Sequence, residues 1–566
     1  MPDDLFEFIQ VPCSYLTQVQ GHGCRSRCDA KVTGSPIPGF DMLPYRAKSH
    51  SALKSAATAM SNDYLERILK ARVYEIAIES PLETASRLSR RLDNTVLFKR
   101  EDLQPVFSFK LRGAYNKIAH LSETPARRGV VCASAGNHAQ GVAMAARRRG
   151  IPATIVMPQT TPQIKVQAVI DLGGEAVLVG DDFDQAYDHA VTVAREKQLS
   201  FIHPFDDPDV IAGQGTIGME LLRQHAGEHI DAIFVPVGGG GLIAGIAAYV
   251  KYLLPRIKVI GVEAEDANAM YLSLQAGKRV TLDRVGIFAD GAAVRRVGEE
   301  TFRLVRQYVE EVLVVTNDEI CAAIQDIFED NRTVAEPAGA LAVAGLKRYI
   351  AREHCRGRTF VAINSGANVN FDRLRHVAER ADIGGQREAL LAVTIPEEKG
   401  SFLRFCGALG RRNITEFNYR YNEGGAAHVF VGLALSQGRQ EKDAVIKAVK
   451  EAGYTVADMS DNEMAKLHVR YMVGGHSRGV IDERLFRFEF PERPGALLKF
   501  LNAIGTHWNI SLFHYRNHGS DYGRILVGVQ IPASEKVDFE LHVRELKYVY
   551  ADETDNPAYH LFLGTG

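Results

Sequence analysis

One lysine in this sequence stands where an amine could do chemistry. The stretch VFSFKLRGAYNK, residues 106–117, places Lys110 after Phe107 and Phe109 and before a run of small residues. Burial between these two rings would disfavour the ammonium form and lower the lysine pKa from its usual value of about 10.4. The competing interpretation is a surface lysine whose stem lies on apolar neighbours while its charge stays in water. The remaining motifs decide between the two.

A run of four glycines is a second candidate site. Gly238, Gly239, Gly240 and Gly241 follow the apolar segment AIFVPV and precede a helical segment that begins near Leu242. Consecutive glycines let several backbone N–H groups approach one anion, and the start of a helix adds its positive end. No G-K-[ST] follows, which excludes a Walker A loop, and the dinucleotide-binding spacing is met only weakly. The run predicts a phosphate site, with tight helix–sheet packing as the alternative.

Two further strand ends carry polar residues. After the segment VVCA come, at the start of a helix, Ser134, Ala135, Gly136, Asn137 and His138. Hydroxyl, amide and backbone donors at a helix start suit a carboxylate, although helix capping explains Ser134 or Asn137 taken singly. After the segment FVAIN comes Ser365, which by itself is an ordinary turn residue.

Together these four features match what pyridoxal phosphate requires. Lys110 would form the Schiff base, the glycine run would hold the phosphate, and the Ser365 hydroxyl would bond the ring nitrogen. A hydroxyl leaves that nitrogen neutral, whereas a carboxylate would keep it protonated. A neutral ring suits loss of a β-leaving group better than transamination. The residues therefore predict a pyridoxal-phosphate enzyme that catalyses an elimination.

The elements around these motifs predict the scaffold that brings them together. From about residue 94, apolar segments such as AIFVPV, KVIGVEA and TFVAIN alternate with helical segments. Continuous apolar strands that alternate with helices predict an α/β fold with a mostly parallel sheet covered on both faces. Ligands in such folds bind beyond the carboxyl ends of the strands. The four features should therefore line one crevice.

Length and composition exclude several classes of protein. The chain has 566 residues, of which 46% are hydrophobic and 24% charged, and a net charge of −2 that marks no nucleic-acid or anionic-membrane surface. No apolar run reaches the roughly 18 to 20 residues that span a bilayer. The start MPDDLFEFIQ is acidic, unlike a signal peptide, and the seven cysteines are an odd number. We therefore expect a cytoplasmic protein of several domains.

Residues 1–59 lack sustained periodicity and contain Gly, Ser and Pro, so they predict a poorly ordered extension. This segment holds Cys24 and Cys28 with His22 nearby. One CxxxC without a second ligand pair is a weak metal signal, and we treat these residues as incidental.

The motifs SFKLRGAYNK, SAGNHAQG, PVGGGGLIAG and SGANVNF, in this order, resemble those of the threonine dehydratases. These are fold type II pyridoxal-phosphate enzymes, similar in fold to the tryptophan synthase β-subunit. The resemblance implies a two-lobed, mostly parallel catalytic domain over residues 60–382, with Lys110 as its catalytic residue. It implies cofactor contacts from Phe109, Lys110, Asn137, Gly238, Gly239, Gly240, Gly241, Leu242 and Ser365. The carboxylate site assigns substrate contacts to Ser134, Ala135, Gly136, Asn137 and His138.

The resemblance also implies a reaction, the deamination of L-threonine to 2-oxobutanoate and ammonia as the first step of isoleucine biosynthesis, with serine as a secondary substrate. Two alternatives stay open, a serine dehydratase or racemase on the same fold and a pseudoenzyme that senses amino acids. Serine racemases use a divalent-metal site whose pattern is met here by Glu263 and Ala267 but not by Ala269. We therefore expect no required divalent metal and leave open a monovalent cation at Glu263.

After residue 382 the sequence contains an internal repeat. PEEKGSFLRFCGALGRRNITEFNYR, from Pro396, recurs as PERPGALLKFLNAIGTHWNISLFHYR, from Pro491. Each copy predicts the order strand, helix, strand, strand, helix, strand, which describes a small α+β domain. The copies, residues 388–475 and 483–566, resemble the tandem ACT-like regulatory domains of biosynthetic threonine dehydratases.

That second resemblance implies allosteric control. It implies inhibition by isoleucine, relief by valine and a homotetramer. Residues 381–388, ADIGGQRE, lie between the two regions and predict a hinge. The alternative is that the repeat serves only as a dimerisation module.

Overall fold

The computed structural model describes residues 63–563 apart from positions 182, 372, 411, 422–424, 473, 478, 492–495, 505–506, 517–521 and 547. The predicted extension, residues 1–59, lies outside the described residues together with His22, Cys24 and Cys28. Its order and any role for these three side chains stay predictions.

Two sheets organise the region before residue 373. The larger contains β1 Leu82–Thr84, β2 Thr95–Arg100, β7 Ala232–Pro236, β8 Lys258–Ala264, β9 Glu311–Val315 and β10 Thr359–Asn364. Their order is β1-β2-β10-β7-β8-β9, and every neighbouring pair is parallel except β1 with β2. The smaller contains β3 Val130–Ala133, β4 Ala153–Met157, β5 Glu175–Leu178 and β6 Ser200–Phe201, all parallel, in the order β5-β4-β3-β6. The predicted two-lobed α/β fold is confirmed.

Helices connect the strands of both sheets. After α1, at residues 63–69, they are α2 Ser86–Leu92, α3 Lys110–Ala119, α4 Glu123–Arg128, α5 Asn137–Arg149, α6 Gln163–Asp171, α7 Phe183–Glu196, α8 Pro208–Gln224, α9 Gly241–Leu253, α10 Ala269–Ala276, α11 Glu299–Tyr308, α12 Asn317–Asn331, α13 Pro337–Glu353 and α14 Arg373–Gly384. Short 3-10 turns occupy Glu101–Leu103 and Asp290–Ala292. Because helices cover both faces, every residue of β3, β4 and β7 is buried, which explains why these strands are continuously apolar.

The repeated region forms α+β units with the predicted order of elements. Its strands are β11 Glu388–Pro396, β12 Ile414–Arg420, β13 Ala426–Ala434, β14 Thr455–Asp458, β15 Glu483–Pro491, β16 Asn509–Arg516, β17 Tyr522–Gln530 and β18 Val549–Asp552. Its helices are α15 Ser401–Leu409, α16 Gly438–Glu451, α17 Glu463–Leu467, α18 Ala496–Ile504, α19 Lys536–Glu545 and α20 Pro557–Phe562.

The two copies share one sheet, which the sequence did not predict. Strands β12 and β16 pair antiparallel, with Phe417 opposite Tyr515, and join all eight strands in the order β14-β11-β13-β12-β16-β17-β15-β18. The aromatic core also crosses the junction, where the rings of Phe402 and Phe513 lie 5.1 Å apart. The copies therefore form one continuous structural unit.

The connection between the two regions is shorter and more ordered than the predicted hinge at residues 381–388. Helix α14 continues to Gly384, and β11 begins at Glu388. A Cβ on Gly384 would lie 1.9 Å from the backbone oxygen of Asp318, so the helix end packs directly against α12. Arg387 N donates to Asp382 O at 2.7 Å. Only residues 385–387 lie between helix and strand, and hinge movement at this segment stays a prediction.

No helix among the described residues has both the length and the apolar character needed to cross a bilayer. Four cysteines in that part of the chain have free thiols: Cys132, Cys321, Cys355 and Cys406.

Candidate active site

A cavity of about 980 Å³ lies between the two lobes, where β3, β7 and β10 end. Residues of both lobes line it. The lining includes all of the predicted site residues: Phe109, Lys110, Ser134, Ala135, Gly136, Asn137, His138, Gly238, Gly239, Gly240, Gly241, Leu242 and Ser365. The structure thus brings the four separate sequence features into one site.

Lys110 is the first residue of α3, and its Nζ lies 5.3 Å from the centroid of the Phe109 ring. Burial lowers the pKa of Lys110 to about 8, while the carboxyl group of Glu336 opposes this shift. Phe107 also lines the cavity, but 57% of its surface is exposed. The predicted fall in the lysine pKa is present, while Phe107 is too exposed to enclose the lysine as fully as predicted.

A buried cluster of charges anchors the start of α3. Arg112, two residues after Lys110, donates to Glu101 Oε2 at 2.7 Å and to Glu220 Oε1 at 2.5 Å. Lys99 donates to Glu220 Oε2 at 2.6 Å, and the four charged side chains are fully buried. Two cations and two carboxylates balance, whereas loss of one member would leave an uncompensated buried charge. The cluster fixes the helix that carries Lys110.

The glycine loop has no room for side chains. A Cβ on Gly238 would lie 2.6 Å from the backbone oxygen of Ala292, and one on Gly239 would lie 2.2 Å from the ring of Phe205. Gly240 has a φ of 96° and is the N-cap residue of α9. Backbone N–H groups and the helix start can therefore approach one anion without obstruction. This geometry fits the predicted phosphate site.

The segment between β3 and α5 leaves the start of α5 without a side-chain cap. Ser134 Oγ accepts a hydrogen bond from Gly136 N at 3.2 Å, and the capping interpretation of this motif is therefore wrong. Burial lowers the pKa of His138 to about 3, and its Nε2 lies 2.9 Å from Ile202 O. A neutral His138 donates to that carbonyl and supplies no charge. The N–H groups of the first helical turn are thus the donors that suit a carboxylate.

Glu336 is a site residue that the sequence reasoning missed. Its Oε1 accepts a hydrogen bond of 2.6 Å from Asn137 Nδ2, while Asn137 Oδ1 accepts one of 2.8 Å from Asn368 Nδ2. Burial raises the pKa of the Glu336 carboxyl to about 8. A Cβ on Gly366 or on Gly291 would lie 2.7 or 3.1 Å from this oxygen, so both glycines make room for it. Glu336 was missed because a glutamate before a proline is, in sequence, typical of an ordinary helix start.

Ser365 directly follows β10 and is 2% exposed. Its Oγ donates to Ala338 O at 3.4 Å, a distance at which a hydrogen bond is weak. The hydroxyl is therefore available to bond a stronger acceptor in the cavity.

Glu263, the residue at which binding of a monovalent cation was left open, is fully buried. Its two carboxyl oxygens accept hydrogen bonds from Met270 N at 2.9 Å and Tyr271 N at 2.8 Å, and burial raises its pKa to about 8. The described residues contain no cluster of three or more His, Cys, Asp and Glu side chains suited to a metal ion. The expectation of no required divalent metal stays a prediction.

Comparison with protein families gives two matches. Residues 74–366 match the model described as pyridoxal-phosphate dependent enzyme. Residues 379–469 and 474–563 each match the model described as C-terminal regulatory domain of threonine dehydratase. The two regions that the fold separates therefore match two different families.

Individual relatives agree with these matches. A biosynthetic L-threonine dehydratase of Burkholderia multivorans is 59% identical over 89% of this chain and 99% of its own length. One of Escherichia coli is 56% identical over 88% of this chain and 97% of its own. Among solved structures, the processed form of threonine deaminase isoform 2 from Solanum lycopersicum is 47% identical with a TM-score of 0.57, covering 62% of this chain and 99% of that one.

Proposed function

This chain belongs to the threonine dehydratases that join a pyridoxal-phosphate-dependent domain to a C-terminal regulatory domain, and from that membership we propose how its cavity deaminates L-threonine. The products are 2-oxobutanoate and ammonia, and the reaction belongs to isoleucine biosynthesis. One observation carries the assignment of the site: a lysine of lowered pKa, a glycine loop without side chains and a buried serine hydroxyl meet in one cavity.

The residues of the cavity fit pyridoxal phosphate. Lys110 supplies the amine that carries the cofactor, the glycine loop suits the phosphate, and Ser365 suits the ring nitrogen. Asn137 has one amide hydrogen bonded to Glu336, which leaves the other for the cofactor's 3-oxygen. When bound, pyridoxal phosphate withdraws electrons from the α-carbon of the substrate and makes its proton acidic. Phe109 and Leu242 complete the set of proposed cofactor contacts.

Lys110 serves first as the anchor and then as the base. A base works best when its pKa lies near the operating pH, because it must both take and return a proton. Burial brings the pKa of Lys110 to about 8, which suits this exchange at the Nζ atom. The buried ion cluster around Arg112 holds α3 and keeps that atom in place.

The start of α5 orients the substrate. We assign its carboxylate to the segment that contains Ser134, Ala135, Gly136, Asn137 and His138, since the N–H groups of the first turn are unoccupied by a cap. The neutral hydroxyl of Ser365 favours elimination of the β-hydroxyl group over transamination.

We expect cofactor uptake by cofactor-free protein to depend on pH with a midpoint near 8. The neutral amine is the nucleophile, and the pKa of Lys110 is about 8 in the folded protein. Uptake should therefore speed up as pH rises towards 8 and level off above it. The measurement is the rate of absorbance change after pyridoxal phosphate is added between about pH 6 and pH 10. Free lysine is the control, and a protein midpoint close to the usual value of about 10.4 would contradict the assignment.

Release of 2-oxo acid tests the function directly. We expect faster release from threonine than from serine, with inhibition by isoleucine. The preference for threonine rests on one additional methyl group, which is worth about 1 to 3 kcal/mol in an apolar pocket. Cofactor absorbance without any 2-oxo acid would support the pseudoenzyme, and release of D-serine from L-serine would support the racemase.

Four finer assignments complete the proposal. Isoleucine inhibits and valine relieves inhibition through the paired regulatory domains, which the match to a threonine dehydratase regulatory family supports. The domains span residues 60–382, 388–475 and 483–566. The enzyme assembles as a homotetramer and acts in the cytoplasm. Size-exclusion chromatography with light scattering tests the assembly.

A further inference from the structure

An ion pair joins the two lobes across the cavity. Lys165, in α6 of the smaller lobe, has its Nζ 2.8 Å from Oδ2 of Asp290, in the 3-10 turn of the larger lobe. Both residues line the cavity, and their side chains are 18% and 32% exposed. An ion pair that is partly buried is screened less than one on the surface. This pair therefore links the two lobes directly at one side of the cleft.

The same carboxylate is held by the helix that leads to the regulatory domains. Arg373, the first residue of α14, has Nη1 3.4 Å from Asp290 Oδ1 and donates to Phe288 O at 2.9 Å and Ile287 O at 3.3 Å. The rings of Phe288 and His376 lie 5.4 Å apart. The loop that carries Asp290 is thus seated on the first turn of α14.

The other end of α14 is clamped between the catalytic and the regulatory region. Arg380 donates to Asp318 of α12 and, at 2.5 Å, to Glu463 Oε1 of α17. Lys466 of α17 donates to Asp318 Oδ2 at 2.7 Å. Arg380 and Lys466 are both buried, at 8% and 5% exposure. These ion pairs therefore connect α14 and α12 directly to the first regulatory repeat.

We propose that Lys165 and Asp290 are positioning residues that hold the cleft closed for catalysis, and that α14 places this ion pair under control of the regulatory domains through Arg373. Asp290 forms ion pairs with two cations, Lys165 of the smaller lobe and Arg373 of α14. A movement of α14 along its axis carries Arg373 and the loop of Asp290 away from Lys165, and the cleft opens. The helix spans roughly 18 Å at 1.5 Å per residue, so it links the two ends as a rigid element.

Replacement of Arg373 by methionine tests the coupling, which rests on the proposed inhibition by isoleucine. Methionine keeps the apolar part of the Arg373 side chain but lacks the guanidinium that contacts Asp290. We expect the isoleucine concentration for half inhibition to rise at least about 5-fold, the lower end of typical allosteric coupling. Lys165→Met should also change the isoleucine concentration for half inhibition. It should raise the KM for threonine more than it lowers kcat. Because both act through Asp290, the effects of the double variant should not add.

Arg295→Met is the matched control. Arg295 also joins the lobes, through Nη1 2.6 Å from Asp184 Oδ2, whereas the ion pairs of Arg373 and Arg380 on α14 go to Asp290, Asp318 and Glu463. Its half-inhibitory isoleucine concentration should stay close to that of the wild type. Equal isoleucine responses in wild type, Arg373→Met and Arg295→Met would overturn the proposal.

Hydrogen exchange gives a readout that does not depend on turnover. Lys466→Met removes the ion pairs of α17 with Asp318 and Glu463, the two carboxylates that also hold Arg380 of α14, so coupling predicts faster amide exchange than in wild type at residues 286–292, beside the cavity. Unchanged exchange there would overturn the coupling even in an active enzyme. A wild-type protein that released no 2-oxo acid would instead refute the proposed function, and the exchange result would still decide whether α14 links the two regions.

Discussion

Replacement of Lys110 by alanine should reduce the release of 2-oxobutanoate from threonine by at least about 10³-fold, because it removes both the covalent anchor of the cofactor and the base. The glycine loop and Ser365 remain in this variant, so pyridoxal phosphate should still bind, but without the absorbance shift that marks a bond to lysine. Single-turnover assays with added cofactor measure the loss of activity, and circular dichroism verifies the fold.

Lys117→Ala is the control for this prediction. Lys117 lies on the same helix, but its Nζ contacts Asp207 at 2.9 Å and Asp209 at 3.1 Å, away from the cavity lining. This variant should keep most of the wild-type turnover. If Lys110→Ala retained a substantial share of activity while Lys117→Ala behaved as wild type, Lys110 would be neither anchor nor base.

The strands of the α/β region were predictable because a strand buried on both faces has a continuous run of apolar residues. The segments AIFVPV and TFVAIN are apolar at successive positions, and they form β7 and β10. The polar residues that follow them could be placed in one crevice because the carboxyl ends of parallel strands share one edge of a sheet. The positions of Ser365, the glycine loop and the segment from Ser134 to His138 follow from this rule.

Contacts between distant segments were not predictable in the same way. Glu336 is separated by 199 residues from its partner Asn137, and its local sequence is that of any helix start. Pairing of β12 with β16 depends on which edges of the two repeats meet. The alternating pattern of a strand does not indicate which other strand it will pair with. The helical conformation of residues 381–384 was not predictable either, because Gly384 is a residue typical of flexible segments, yet here it allows close packing on Asp318.

The architecture of the regulatory region makes it removable as one piece. The large core of the eight-stranded sheet contains residues from Leu391 to Val543 and none from the α/β region. Among the described residues, a small apolar cluster formed by Ile383, Leu390, Phe430 and Ala465 spans the boundary. A cut after α14 therefore exposes little apolar surface on the catalytic side, and Arg380 keeps Asp318 as its partner.

A chain that ends after Gly384 should still deaminate threonine but should no longer respond to isoleucine. An effector changes activity only by binding two states unequally, and the typical coupling of about 1 to 3 kcal/mol, or roughly 5- to 150-fold, should disappear with the domains that bind it. The measurement is an isoleucine titration of 2-oxo acid release by the full and the shortened chain, with cofactor absorbance and thermal melting as checks of folding. Equal inhibition of both chains would place the effector site in the α/β region and refute the assignment of control to the paired domains.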